Sequence, residues 1–250
     1  MPTTKTTLPA RAHGAAAPLR NIGVLEELLL RSIDRESHLP GIVTFSGPSG
    51  FGKSTAVGFV AAQHQAIYVE VRSVWTKKAF LEAVLKQMGI KAAPTIAGMA
   101  DQVSEELAAS QRPLMLDEGD NLVERNLIEL VRDLYEQSKA PVVLIGEELL
   151  PQKLKRWERF HGRVMDWAQA LPADGNDVRT LVRHYAPDIE LKDDFVQRLV
   201  QEANGSVRRI VTNIDKIAYV ARNEGWKQVG LQEWAKRPLH SSTPPQARKF

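Results

Sequence analysis

The residues with the most chemical meaning lie in the run Phe45-Ser-Gly-Pro-Ser-Gly-Phe-Gly-Lys-Ser-Thr55. Gly47 is followed by four residues and then by Gly52-Lys53-Ser54, the spacing of a phosphate-binding loop. Glycines so placed let the backbone curl until successive N–H groups point at phosphate oxygens. Gly47, Pro48, Ser49, Gly50, Phe51, Gly52, Lys53, Ser54 and Thr55 are therefore expected to contact a nucleotide. Lys53 would reach the β- and γ-phosphates, and the Ser54 hydroxyl would ligate Mg²⁺. The apolar run before the loop reads as a strand, and the segment after it reads as a helix whose N-terminus faces the same anion.

A second pattern follows at Leu114-Met-Leu-Asp-Glu118, an apolar run ending in two acids. A phosphate-binding loop needs a carboxylate at the end of a neighbouring strand to hold Mg²⁺ through water, and Asp117 stands there. Glu118, one position on, can polarise the water that attacks the γ-phosphate. The Asp-Glu pair points to hydrolysis. The chain has no Asn-Lys-x-Asp run for guanine recognition, so ATP is preferred to GTP.

Arginines form a third group. Arg156, Arg159 and Arg163 crowd residues 154–164, and Arg208 and Arg209 open a predicted helix after Asn204-Gly205. Guanidinium groups brought to a γ-phosphate, in cis or from a neighbouring subunit, assist phosphoryl transfer. Arg156 reads best as part of a solvated face.

These residues need elements to hold them. Apolar periodicity predicts helices over about 21–35, 53–63, 77–88, 95–109 and 124–138, and strands over 41–46, 66–72, 113–118 and 141–146. Strands alternating with helices give an α/β class with a parallel sheet. Strand signals then stop, and helices near 175–185, 192–203 and 206–224 predict a smaller all-helical unit. The expected division is a basic tail over 1–20, an α/β ATPase domain over 21–172, a helical lid over 173–230 and a C-terminal tail over 231–250.

Charge is unevenly spread along the 250 residues, whose formal net charge is +3. Residues 1–20 and 236–250 hold seven basic side chains and no acid, so residues 21–235 carry a net −4 (26 basic against 30 acidic). The tails are rich in Pro, Thr, Ser and Ala and are expected to be disordered; such arms bind phosphate backbones or serve solubility. There is no cysteine, which excludes disulfides and thiolate metal sites. No apolar run approaches membrane-spanning length, which fits a protein of a reducing cytoplasm.

The order of the phosphate-binding loop, LMLDEGDNL, VVLIGEELL, Arg159-Phe160 and GSVRRI resembles the AAA+ ATPases of DNA transposition, which include the bacteriophage Mu transposition protein B and related transposon target-selection ATPases. The resemblance covers about residues 20–225. It implies a P-loop NTPase of AAA+ type with a helical lid, in which Arg208 is the sensor arginine and Arg159 the arginine finger, with Arg163 its rival. It further implies an ATPase that forms a homo-oligomeric filament or ring on duplex DNA with little sequence preference. The occupied DNA is then handed to a transposase, whose action stimulates hydrolysis and disassembly in a bacterial host cytoplasm. Lys77 and Lys78, with Thr76 as a hydrogen-bonding partner, are the expected DNA contacts after the second strand. The alternative is that Thr76 caps a helix and the lysines face water, while Trp75 packs in the core. The sequence departs from the family in two respects: some twenty tail residues stand before the core where the Mu protein carries a helix-turn-helix domain, and Gly146-Glu147-Glu148 stands where the family usually has a small polar sensor residue. The same motif order also suits a secretion-associated ATPase, a helicase loader, or a nucleotide-gated scaffold with negligible hydrolysis.

Overall fold

The computed structural model describes residues 17–241. Five parallel strands form its centre: β1 (Ile42–Ser46), β2 (Ile67–Glu70), β3 (Leu114–Asp117), β4 (Val142–Gly146) and β5 (Val164–Gln169), in the spatial order β2-β3-β4-β1-β5. Every residue of β1, β3 and β4 is buried. Continuous apolar runs are what a sheet covered on both faces requires.

Eight helices accompany the sheet: α1 (Arg20–Ile33), α2 (Lys53–Gln63), α3 (Lys77–Met88), α4 (Ile96–Ser110), α5 (Gly119–Glu124), α6 (Ile128–Ser138), α7 (Leu150–Leu154) and α8 (Glu158–His161). Alternation along the strands sorts the core into two layers. Ile42, Leu114, Leu116, Val142 and Leu144 face a cluster that includes Phe80 of α3, Val103 of α4 and Val131 of α6. Val43, Phe45, Met115, Val143 and Ile145 face the opposite way, onto Leu25 of α1 and Val57 of α2.

The sheet has one strand more than the sequence predicts. β5 lies at the edge beside β1, where its first five residues are only half-buried and its register slips between Ile42 and Val43. Its Asp166 forms an ion pair with Arg31, so an acid interrupts the apolar pattern that would have announced a strand. The short helices α5, α7 and α8 went unpredicted because pieces of four to six residues carry too little periodicity.

The C-terminal region contains α9 (Gly175–Tyr185), β6 (Glu190–Leu191), α10 (Asp193–Ala203), α11 (Val207–Glu224), β7 (Gln228–Val229) and α12 (Leu231–Trp234) around a core of its own. It is helical except for β6 and β7, a two-stranded parallel ribbon. The tail boundaries need correction. Ala17 and Leu19 are buried in this core and Arg20 begins α1, so residues 17–20 are not tail. At the other end Trp234 is fully buried against Phe195, and its Nε1 donates to the Arg237 carbonyl at 2.8 Å. Lys216 Nζ donates to the Pro238 carbonyl at 2.7 Å, and the His240 N–H donates to Asn213 Oδ1 at the same distance. Residues 231–241 are therefore packed, because one large indole outweighs the polar composition around it. The remaining tail expectations, for 1–16 and 242–250, lie outside the described residues. Among the described residues no helix is long and apolar enough to cross a membrane.

Trp234→Ala should cost about 3–5 kcal/mol, the range for emptying a fully buried aromatic site. Denaturant unfolding followed by circular dichroism checks this, and unchanged stability would return the segment to tail status.

Candidate nucleotide site

β1 leads straight into the phosphate-binding loop, and the loop leads straight into α2. Gly50 and Gly52 have φ of +85° and +82°, the left-handed backbone that glycine adopts without strain. A Cβ on Gly50 would also stand 2.7 Å from Ser206 Oγ. The loop thus curls under the start of α11, where the Arg208 N–H donates to the Gly50 carbonyl at 3.1 Å.

The strand order sets what stands opposite. β4 lies between β1 and β3, so Gly146 separates the loop from Asp117. Lys53, Ser54, Thr55, Asp117, Glu118 and Arg208 line one cleft of about 340 Å³. Ser49, Gly50 and Gly52 line it too, whereas Gly47, Pro48 and Phe51 do not. Gly47 and Pro48 turn their carbonyls to the Lys53 ammonium, at 2.6 and 3.0 Å. Phe51 faces the far side of the loop, toward Gly205. Leu19, Leu181, Tyr185, Val207 and Val211 form an apolar wall at one end of the cleft, suited to a base. Sequence reasoning missed this wall, whose residues come from three distant segments.

Burial lowers the Lys53 pKa from its ordinary value, against the opposing pull of Asp117, Glu118, Glu147 and Asp120. Glu118 is shifted up, first by burial and then by the charges of Asp117 and Glu147. A raised carboxyl pKa suits a general base, because it strengthens the proton affinity of the ionised form. Glu118 holds φ +57° at the start of α5, a left-handed conformation that is strained for glutamate. Asp117 is buried; its Oδ1 accepts from the Glu118 N–H at 2.9 Å and its Oδ2 from the Tyr68 hydroxyl at 3.2 Å. Ser54 and Asp117 are oxygen donors of the hard type that Mg²⁺ takes, in a number that leaves the remaining positions to phosphate and water. Among the described residues no group of three or more His, Cys, Asp or Glu is placed to hold a metal by itself.

The departure at the sensor position has a local cause. A Cβ on Gly146 would stand 2.5 Å from Asp120 Oδ2. The buried Asp120 accepts from the Glu147 N–H at 2.7 Å and from Lys153 Nζ at 2.8 Å. Its carboxylate occupies the space a small polar side chain on β4 would need, and Glu147 itself lines the cleft.

Two residues that the sequence did not single out tie the cleft to the C-terminal region. Asn21 is buried; its amide donates to the carbonyls of Phe51 and Leu171, both at 2.9 Å, and its Oδ1 accepts from the Leu171 N–H at 2.8 Å. Arg20 reaches Asp174 and Asp177, which form the capping box of α9, and donates to the Pro172 carbonyl.

The other predicted residues lie elsewhere. Arg159 is exposed on α8, does not line the cleft and makes no ion pair among the described residues. Arg163 is paired with Glu136 of its own chain. Arg156 lies 5.8 Å from the Trp157 ring centroid on the exposed side, as a solvated residue would. Thr76 caps α3, its Oγ1 accepting from the Ala79 N–H at 3.3 Å. Lys77 is exposed, and Lys78 pairs with Glu82 at 3.8 Å. Trp75 packs against the first core layer, while Val74 beside it is 76% exposed. The segment is anchored to the cleft: the Val71 N–H donates to the Asp117 carbonyl at 2.9 Å, and the Asn121 amide to the Val71 carbonyl at 2.8 Å.

This sheet order, loop and helical C-terminal region define the AAA+ P-loop fold. The AAA domain family matches residues 35–154. No curated protein matches the chain by sequence. Among solved structures, the ORC2 protein of Aeropyrum pernix with ADPNP and ADP superposes at a TM-score of 0.61 with 12% identity, covering 83% of this chain and 64% of that one. The A. pernix ORC1 protein in complex with DNA gives 0.58 at 19% identity, covering 84% and 61%. The RuvB Holliday junction branch migration motor of Thermotoga maritima gives 0.57 at 16%, covering 85% and 66%. The chain therefore spans less than two thirds of the length of each.

A ligand that binds only the native state at a hundred times its dissociation constant stabilises it by about 2.7 kcal/mol. ATP at that excess should raise the thermal unfolding midpoint of the wild type accordingly, and Lys53→Ala should abolish the rise. A retained shift in the variant would remove Lys53 from the site.

Proposed function

We propose that the protein is an ATPase that assembles on duplex DNA without sequence preference and presents it to a transposase. The observation that carries the ATPase part is the convergence of Lys53, Ser54, Asp117 and Glu118 on one cleft. Ser54 and Asp117 would hold Mg²⁺, which supplies charge neutralisation for the β- and γ-phosphates. Lys53 binds and orients those phosphates, Glu118 takes the proton of the attacking water, and Arg208 reaches the γ-phosphate from the start of α11. Leu19 and Tyr185 enclose the base. The C-terminal helical region then acts as a lid. Because Arg163 is already neutralised by Glu136, Arg159 is the better source of a guanidinium for a neighbouring subunit's cleft.

The DNA part rests on the segment after β2. Arg72, Lys77 and Lys78 lie on either side of an exposed Val74, and the same segment is hydrogen-bonded to the Asp117 strand end. Likeness in fold to an ORC1 protein solved with DNA and to a branch migration motor supports a DNA-borne role. Transposition rests on the motif resemblance, together with a bacterial cytoplasmic setting. A helicase-loading role is the second reading, since likeness in fold to an ORC1 protein solved with DNA suits it as well. Transposase added to DNA-bound protein separates the two: accelerated hydrolysis and strand transfer into the bound DNA support the first, and no response overturns it.

Glu118→Gln should bind ATP and hydrolyse it far more slowly, since an amide cannot accept the water proton. Wild-type turnover should fall as the pH is lowered, on an acid limb whose midpoint lies above 4.5, the ordinary glutamate value, because the raised pKa protonates the base earlier. Phosphate release across pH checks both, and unaltered turnover in the variant would exclude Glu118 as the base.

Lys77→Ala combined with Lys78→Ala should weaken ATP-dependent DNA binding. The slope of log affinity on log salt should flatten by about 1.8 per bound subunit, at about 0.9 per lost phosphate contact. Filter binding over a salt series measures this; an unchanged slope would move the DNA contacts elsewhere.

A further inference from the structure

Tyr68 has a polar group that the proposed mechanism does not use. It comes from β2, at the edge of the sheet and outside the phosphate-binding loop. In the parallel register Tyr68 stands beside Met115, and Glu70 beside Asp117. Side chains two apart on a strand share a face, so Tyr68 and Asp117 lie on the side of the sheet that α2 covers. There the Tyr68 ring packs against the core layer that holds Val43, Met115 and Val57, while its hydroxyl donates to Asp117 Oδ2.

This bond is not needed to join the strands. β2 and β3 are already paired over four residues, from Ile67 beside Leu114 to Glu70 beside Asp117. Nor is the hydroxyl needed for packing, since a phenylalanine ring would fill the same space. What the bond does is distinguish the two carboxylate oxygens. Oδ1 accepts from the Glu118 N–H and Oδ2 from Tyr68, so rotation about the Cβ–Cγ bond would break both contacts. Each ionised oxygen has about two lone-pair sites, and one donor apiece leaves capacity on both. Burial and the neighbouring Asp117 charge push the phenol pKa up, so the group remains a donor wherever Asp117 is ionised.

We propose that Tyr68 is a positioning residue for divalent-cation binding, its hydroxyl holding the Asp117 carboxylate so that the remaining lone pairs meet the hydration shell of a nucleotide-bound Mg²⁺. This rests on the ATPase reading above. Partners of groups that ligate a metal directly change its affinity about tenfold to a hundredfold. Asp117 acts through water, so the effect expected of Tyr68 is smaller, about threefold to tenfold.

The test is Tyr68→Phe, in the full chain, with a fluorescent ADP analogue as the probe. Binding is measured in EDTA and then over a MgCl₂ titration, for the wild type, Tyr68→Phe, Asp117→Ala and the double variant. Tyr68→Phe should raise the Mg²⁺ midpoint about threefold to tenfold, leaving nucleotide affinity in EDTA unchanged. In the Asp117→Ala background the second substitution should add nothing, because the interaction it removes is already gone. An unchanged midpoint in a nucleotide-binding Tyr68→Phe protein overturns the positioning role alone. An equal loss of affinity in EDTA, or a shift that persists without Asp117, shows a general structural role and overturns it too. A wild type that binds no nucleotide overturns the ATPase reading, and the positioning role with it.

Discussion

A single ammonium group, that of Lys53, sets the terms for the rest of the cleft. It is half-buried in a loop whose own carbonyls hold it, and burial works against its charge. Such a group is tolerated only where opposite charge is near, and Asp117, Glu118, Glu147 and Asp120 supply it. Burial, and after it the repulsion of Asp117 and Glu147, shifts Glu118 toward its neutral form. The site is thus a balance of unlike charges in a space where each is costly alone. A polyphosphate with its cation would enter that balance on both sides at once.

The loop that carries Lys53 is not self-supporting. Its back is held by Asn21, whose three hydrogen bonds join the Phe51 carbonyl to the linker at Leu171. Its front meets the start of α11 through the Arg208 N–H and the close approach of Gly50 to Ser206. Gly205, with φ of +73°, lets the chain turn into α11 where a Cβ would collide with Pro172 at 2.5 Å. The phosphate-binding loop, the first turn of α1 and the C-terminal helices therefore share one set of contacts.

How much of this was legible depended on how local each signal was. The loop, the Asp117–Glu118 pair and the strands β1 to β4 are written in contiguous runs, and the structure has them within a few residues. β5 was lost because an edge strand needs only one covered face, and Asp166 breaks its apolar pattern. Residues 231–241 were lost because Trp234 and Leu239 anchor a stretch that is mostly polar and shows no sustained apolar period. Tyr68, Asn21 and Asp120 were invisible for another reason. Each acts on a partner 27 to 150 residues away, and only the folded chain brings those partners together.

The two hydrogen bonds at Val71 make the cleft and the basic segment after β2 parts of one lever. The Asp117 carbonyl holds Val71 from one side and the Asn121 amide holds it from the other, immediately before Arg72. A ligand that rearranged that segment would pull on a backbone hydrogen-bonded to the strand end that carries Asp117 and Glu118. Thermodynamic linkage makes the relation symmetrical: an occupant of the cleft that favours one arrangement of the segment has its own affinity changed by the same factor when the segment is occupied. A polyanion bound outside would thus act on the cleft through two backbone carbonyls, without touching the nucleotide.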